Sequence, residues 1–407
     1  MGYRRRDAQL DRRCAFCGRP RDEVKKLVAG PGVFICDRCI SVCRQLLAEE
    51  RKAQPGSTSP AERQKPKELS ARLTQWVIGQ DRAKRMLTVA VYNHMKRIDA
   101  RGKTGDVELT KGNILMIGPP GTGKTHLART LARILDVPFA IADATPLTQA
   151  GYVGEDVESV VAKLLRAADG NAERAATGII YLDEIDKLAK RVGHDRDVSG
   201  EGVQQGLLKI LEGKKVQVRM GGDRNGLGAE MVEVDTSNVL FIAGGAFDGM
   251  MKNIMAEKTH STGFKQGGYD PRAVEEQLQK ITPTDLHKFG FLPEFIGRFP
   301  VLVSLDAADE HMLVDILTRP KDALFRQYQR LFAMEGCRLE STSDGLRAIA
   351  RRALKRGTGA RGLRAVMEEL LLDAMFDLPS VSGSTYRLDE EAVNDGGPHR
   401  LPERTAA

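Results

Sequence analysis

Eight consecutive residues, Gly118-Pro119-Pro120-Gly121-Thr122-Gly123-Lys124-Thr125, limit what this chain can fold into more than any other stretch. They fit the pattern G-x4-G-K-[ST] in the setting that gives it meaning. The apolar run Asn113-Ile114-Leu115-Met116-Ile117 precedes them, and a helical pattern with Leu127, Leu131 and Leu135 on one face follows. A buried strand, a glycine-rich turn and a helix together make a phosphate cradle, because glycine lets backbone N–H groups converge at the positive end of the helix dipole. Lys124 is then expected at the β- and γ-phosphates and Thr125 on Mg2+, with His126 beside them in the nucleotide-binding set. The second half is Ile179-Ile180-Tyr181-Leu182-Asp183-Glu184. A strand ending in two acids puts Asp183 beside the metal and Glu184 where it polarises an attacking water. Alone, an Asp-Glu pair after a strand is an ordinary helix cap. Paired with the phosphate loop, it predicts ATP hydrolysis.

Cysteine and charge are both concentrated at one end. Five of the six cysteines fall between Cys14 and Cys43. Cys14-x2-Cys17, then 18 residues, then Cys36-x2-Cys39 is the spacing of two knuckles that close a tetrahedral four-thiolate Zn2+ site. Four thiolates leave no open position for water, so the site is expected to be structural. A unit of about 50 residues has too little core to fold readily alone, and bound metal would supply the missing energy. Cys43 and Cys337 read as packing residues. Residues 1–70 hold 16 Lys+Arg against 9 Asp+Glu, and the remaining 46 of each sign cancel, so the net charge of +7 belongs to this end. The body is not a polycation, which argues against broad nucleic-acid binding by it. No apolar run approaches the roughly 18 residues a membrane helix needs. The start, Met1-Gly2-Tyr3-Arg4-Arg5-Arg6, leads into charge rather than an apolar segment, so no secretory signal is expected and a cytoplasmic location is.

The expected organisation is a zinc-binding module at 1–50, a flexible Pro/Ser/Gly linker at 51–67, a large domain at 68–305, a small helical domain at 306–385 and a polar tail at 386–407. The fold class is α/β: a P-loop NTPase domain with a parallel sheet, its strands expected at Asn113–Ile117, Gly178–Leu182 and Asn238–Ile242. Asp306 and Ser343-Asp344 are candidate helix N-caps.

In this order the motifs resemble the AAA+ superfamily and, within it, the ClpX-type protein unfoldases, from about Cys14 to Pro379. The resemblance implies further roles. Trp76-Val77-Ile78-Gly79-Gln80 is similar to the adenine-contacting segment, with Val77 and Ile78 against the base. Gly151-Tyr152-Val153-Gly154 resembles the first pore loop, so Tyr152 and Val153 would grip substrate, and Arg196–Val203 resembles the second. Pro293–Arg298 resembles the stretch whose arginine reaches a neighbour's nucleotide, here Arg298. Gly359–Leu363 resembles the segment carrying the sensor arginine, here Arg361. Thr262-Gly263-Phe264 stands where the family has an aliphatic-Gly-Phe tripeptide that docks a ClpP-type peptidase. Ala243-Gly244-Gly245 places no polar side chain at the usual AAA+ sensor position, a feature the ClpX branch shares. Gly221–Gly226 replaces a more basic substrate-facing segment.

The resemblance thus implies a homo-hexamer that uses ATP, Mg2+ and Zn2+. It would unfold tagged or unfolded proteins, with or without adaptors, and feed them to a ClpP-type peptidase. Two other readings compete: a nucleic-acid-associated AAA+ motor using the zinc unit as a grip, and a remodelling chaperone that docks no peptidase.

Overall fold

The computed structural model describes residues 13–30, 33–43, 64–100, 107–148, 155–190, 200–220, 230–250, 276–381 and 383–401. They belong to two units, Met1–Arg63 and Gln64–Ala407. The first unit has almost no core. Its antiparallel pair β1 (Leu27–Gly30) and β2 (Val33–Cys36) runs into helical residues 37–43. Among its described residues only Cys14 and Cys36 are buried, while Val28 and Val33 stay exposed. A two-stranded hairpin of this kind is marginal in water without another source of stability.

The second unit begins with α1 (Pro66–Thr74) and α2 (Asp81–Asp99). Pro66 and Lys67, expected in the linker, are the first residues of α1. Proline suits that position because the first N–H of a helix has no intrahelical partner. A five-stranded sheet follows, with β3 (Ile114–Ile117), β4 (Phe139–Asp143), β5 (Ile179–Asp183), β8 (Leu240–Gly245) and β9 (Val301–Ser304). Its order is β4-β5-β8-β3-β9, and every pairing is parallel. The expected run Asn238–Ile242 starts later as strand, because Thr236–Asn238 form a 3-10 turn capped by Asp235.

Side chains on β3 alternate between two cores, as the pleat requires. Ile114 and Met116 pack with α2 and with α3 (Lys124–Leu135); Leu115 and Ile117 pack with α4 (Ser159–Ala167) and α5 (Glu201–Leu211). Leu127 and Leu131 of α3 are fully buried, a contribution of about 1.5–3 kcal/mol each. A hairpin of β6 (Lys215–Met220) and β7 (Glu230–Asp235) stands apart from the sheet, its Val216 and Val218 packed with Leu115 and Ile117. Helices α6 (Pro283–Phe289) and α7 (Pro293–Gly297) then lead into β9.

The remainder builds a separate core around α8 (Glu310–Thr318), α9 (Leu324–Met334), α10 (Ser343–Lys355) and α11 (Arg361–Asp377). Two expected caps shift. Asp309, not Asp306, accepts the N–H of Met312, and Thr342, not Ser343 or Asp344, accepts that of Gly345. Asp306 is occupied otherwise: its N–H and C=O are both held by the side chain of Gln80. The stretch expected as a polar tail is ordered structure through Leu401. There β11 (Thr385–Leu388), α12 (Glu390–Asp395) and β12 (His399–Leu401) join β10 (Arg338–Ser341) in a three-stranded sheet. Tyr386, Leu388 and Val393 are buried against the helices, so a few apolar residues suffice to fix a polar segment. No helix among the described residues is long and apolar enough to cross a membrane.

Candidate functional site

The phosphate loop leaves β3 where the strand order changes direction, the position at which open parallel sheets form ligand crevices. Lys124 opens α3, and its ammonium curls back to donate to the carbonyls of Gly118 (2.6 Å) and Pro119 (3.0 Å). Burial holds this ammonium below the usual lysine range, against the pull of Asp183 and Asp186. Thr125 Oγ1 donates to Asp183 Oδ2 at 3.0 Å. Two oxygens bound to Mg2+ at about 2.1 Å and at right angles lie about 3.0 Å apart, so this pair is spaced to hold the ion. The donor set fits.

Glu184 follows Asp183 with φ of 53°, a left-handed conformation uncommon for a side chain of this size. The turn exposes its carboxylate, which accepts a hydrogen bond from Thr145 Oγ1 (3.0 Å) at the end of β4. Thr145 was not legible as a site residue, since its partner is 39 positions away in sequence. Tyr181 was missed for a similar reason. It lies flat in the β5 pattern, yet its hydroxyl reaches Asp183 Oδ1 at 3.4 Å. Burial and the Asp183 charge push its phenol well above the usual range. That hydroxyl lies 2.0 Å from where a Gly244 Cβ would be, so any larger residue there must displace Tyr181. The empty sensor position thus has a cause: Tyr181 fills it from the neighbouring strand.

One wall of the cavity comes from the turn between α1 and α2. Lys84, buried at 1% exposure, ties Thr74 Oγ1 (3.0 Å), Val77 O (3.3 Å) and Asp81 together, which shapes the segment holding Val77 and Ile78. His126 contacts the Trp76 carbonyl at 3.4 Å from an exposed position. The opposite wall comes from the second core. Arg361, the first residue of α11, lines the same cavity and adds a repulsion that also lowers the Lys124 ammonium. The phosphate loop and this core meet through backbone: the Ala360 N–H donates to Gly121 O (3.3 Å). Gly121 has φ of 77°, and a Cβ there would lie 2.2 Å from Thr358 O. The cavity so enclosed measures about 720 Å³, within the range of nucleotide- and drug-sized pockets.

Arg298 is elsewhere. It caps the end of α7, pairs with Glu212 at 2.6 Å and borders a second cavity of about 480 Å³. Tyr152, Val153, Thr262, Gly263 and Phe264 lie outside the described residues, as do residues 196–199 of the second pore-loop stretch and the Gly221–Gly226 segment.

In the first unit the thiols of Cys14, Cys17, Cys36 and Cys39 lie within 4.8 Å of one another. The Sγ atoms of Cys17 and Cys36 are 3.7 Å apart. Four sulfurs at about 2.3 Å from a tetrahedral Zn2+ are separated by about 3.8 Å, so the cluster has the right size. Its electrostatics ask for a cation. Burial alone would raise the Cys14 thiol, but N–H groups from Cys17 and Cys36 outweigh it and bring it to about 6. Cys39 is pushed up by burial and by the surrounding thiols, so the set does not ionise together without a positive charge at its centre. Cys43 is not part of the cluster.

Comparison with protein families finds three matches in the same order as the units. Residues 12–49 match the ClpX C4-type zinc finger, so the metal of the cysteine cluster is zinc. Residues 109–302 match the AAA domain of the Cdc48 subfamily. Residues 309–389 match the C-terminal, D2-small domain of ClpB protein. The last span runs through the β11 strand and into the segment that reads as a tail.

Proposed function

With a ClpX-type zinc finger, an AAA domain and a ClpB-type small domain in one chain, this is a ClpX-type AAA+ protein, and from that premise we propose that it is an ATP-driven protein unfoldase acting as a homo-hexameric ring. The observation that carries the reading is the cavity where the phosphate loop, the Asp183-Glu184 pair and Arg361 of the second core converge.

ATP, when bound, supplies the phosphoanhydride and Mg2+ neutralises its charge; the chain supplies position and orientation. Lys124 exchanges the carbonyls of Gly118 and Pro119 for phosphate oxygens, while Thr125 and Asp183 hold the ion. The N–H groups of Gly121, Thr122 and Gly123 line the phosphates, and Val77 and Ile78 flank the base. Glu184, held by Thr145, accepts a hydrogen bond from the attacking water and aims it at the γ-phosphate. Arg298 of one copy faces the nucleotide of the next. Arg361 reads the phosphates from the second core, so a change at the phosphate loop alters the angle between the two cores. That motion would carry Tyr152 and Val153 along the pore and pull substrate with them. Thr262, Gly263 and Phe264 would meet the ClpP-type peptidase, and adaptors would deliver tagged proteins.

A tagged fluorescent protein tests the reading. ATP-dependent loss of fluorescence, with degradation only when the peptidase is added, is the expected result. Hydrolysis stimulated by single-stranded DNA and not by unfolded protein would replace it with the nucleic-acid motor. Unfolding without any association with the peptidase would leave the stand-alone chaperone.

A further inference from the structure

Arg298 ends a one-turn helix and carries a long side chain that is half exposed. Freezing such a side chain toward a distant phosphate is entropically costly unless neighbours do it in advance. Three polar side chains surround the segment. Asn113, 1% exposed, donates through Nδ2 to the Arg298 carbonyl at 2.9 Å and fixes its backbone. Gln204, fully buried on α5, accepts the N–H of Leu292 at 2.9 Å and donates to the Leu188 carbonyl at 2.7 Å. Glu212, which follows the last residue of α5, accepts from Arg298 Nη2 at 2.6 Å.

Leu292 and Arg298 are the two caps of α7, so α5 holds that helix at both ends. Leu188 closes the 3-10 turn that begins directly after Glu184. The same α5 side chain therefore bridges the far end of the turn that follows Glu184 and the arginine segment. An ion pair as exposed as Glu212–Arg298, at 39% and 48%, contributes little to stability. What it does fix is one edge of the guanidinium fork, leaving the other edge to meet an anion in bidentate fashion.

We propose that Glu212 is a positioning residue for hydrolysis in trans: it presents the Arg298 guanidinium to the γ-phosphate held by the adjacent copy, on a backbone anchored by Gln204 and Asn113. This rests on reading Arg298 as a trans-acting arginine.

The test uses full-length rings. Glu212→Ala should lower kcat about tenfold, a part of the roughly 10³-fold or more that such an arginine supplies, with KM for ATP within about twofold. Affinity for ADP with aluminium fluoride should drop by a similar factor while affinity for ADP alone stays unchanged, because only the transition-state mimic uses the arginine. Glu212→Gln, isosteric and still an acceptor, should recover part of both. The double variant Glu212→Ala with Arg298→Ala should be no slower than Arg298→Ala. Rings mixed from Glu212→Ala and Glu184→Gln copies should regain hydrolysis, since a Glu184→Gln copy offers a well-placed arginine to its neighbour's intact site. Glu212→Ala matching wild type in kcat and in the mimic affinity, while Arg298→Ala is inactive, would overturn the inference. So would a double variant clearly slower than Arg298→Ala. Normal hydrolysis by Arg298→Ala would instead defeat the reading beneath it.

Discussion

Gly244 shows how a single position can record its neighbour. A methyl group there would overlap the Tyr181 hydroxyl, and overpacking of this kind costs about 1–3 kcal/mol. Gly244→Ala should therefore lower the thermal midpoint of the larger unit, and adding Tyr181→Phe should restore part of the loss, since the ring carbon Cζ would still lie 2.8 Å from the new methyl. An unchanged midpoint in Gly244→Ala would show that Tyr181 moves aside freely. Glu184 makes the complementary case, since its carboxylate faces the cavity and, among the described residues, holds only the Thr145 hydroxyl. Glu184→Gln keeps the shape and the hydrogen bond while removing the charge that polarises water. ATP should still bind, and turnover should fall at least about 100-fold. Lys124→Ala, by contrast, should weaken binding itself. Near-normal turnover by Glu184→Gln, measured as phosphate release, would refute the roles assigned here.

The elements differ in how far their sequence announces them. The β3–loop–α3 unit and the Cys14–Cys39 cluster were legible because strand, turn, helix and paired knuckles are local, and each motif carries its own spacing. What escaped was set by contact across the fold. Thr145 meets Glu184, Gln204 meets Leu292 and Glu212 meets Arg298 over 39, 88 and 86 positions, and nothing local in the chain marks such pairs. The row Phe247, Phe291, Phe295 and Phe299, with successive centroids 5.3–5.9 Å apart, belongs to the same class. Only the fold reveals that it stiffens the route from β8 to the arginine segment. The segment 386–407, expected as a polar tail, differs for a simpler reason, since polar composition does not exclude strands that need one buried face. The zinc hairpin yields a prediction at this scale. Among its described residues only two cysteines are buried, so its folding energy is expected from the metal, of order 10 kcal/mol for structural zinc. Cys14→Ser in the full chain should abolish stoichiometric zinc and the order of the first unit, seen as proteolysis before Gln64. Basal ATP hydrolysis should persist, because the second unit has its own cores. Zinc retained at one equivalent would contradict this.

At the scale of the whole molecule, the proposed function requires hydrolysis to be converted into pulling, and the proposed converter is Tyr152. Tyr152→Ala should leave ATP consumption within a few-fold of normal while a stable tagged substrate is no longer unfolded; unimpaired unfolding would remove Tyr152 from the pore. In the proposed function, peptidase docking is assigned to Thr262-Gly263-Phe264. A threonine where an aliphatic side chain would bury forfeits about 1–3 kcal/mol. Thr262→Ile should therefore tighten docking by about tenfold or more across the multivalent ring, and Phe264→Ala should abolish it. No change in either variant, titrated against the cognate peptidase, would place docking elsewhere. The backbone contact between Gly121 and the Thr358–Ala360 turn has a pharmacological consequence. The phosphate loop on one side of the cavity follows a pattern many nucleotide enzymes carry, but Met312, Ile316 and Leu363 on the other side belong to the second core. A small molecule that took its affinity from those three side chains would act as a wedge between the two cores. It would discriminate against other ATP-using enzymes by contacts their phosphate loops do not have nearby.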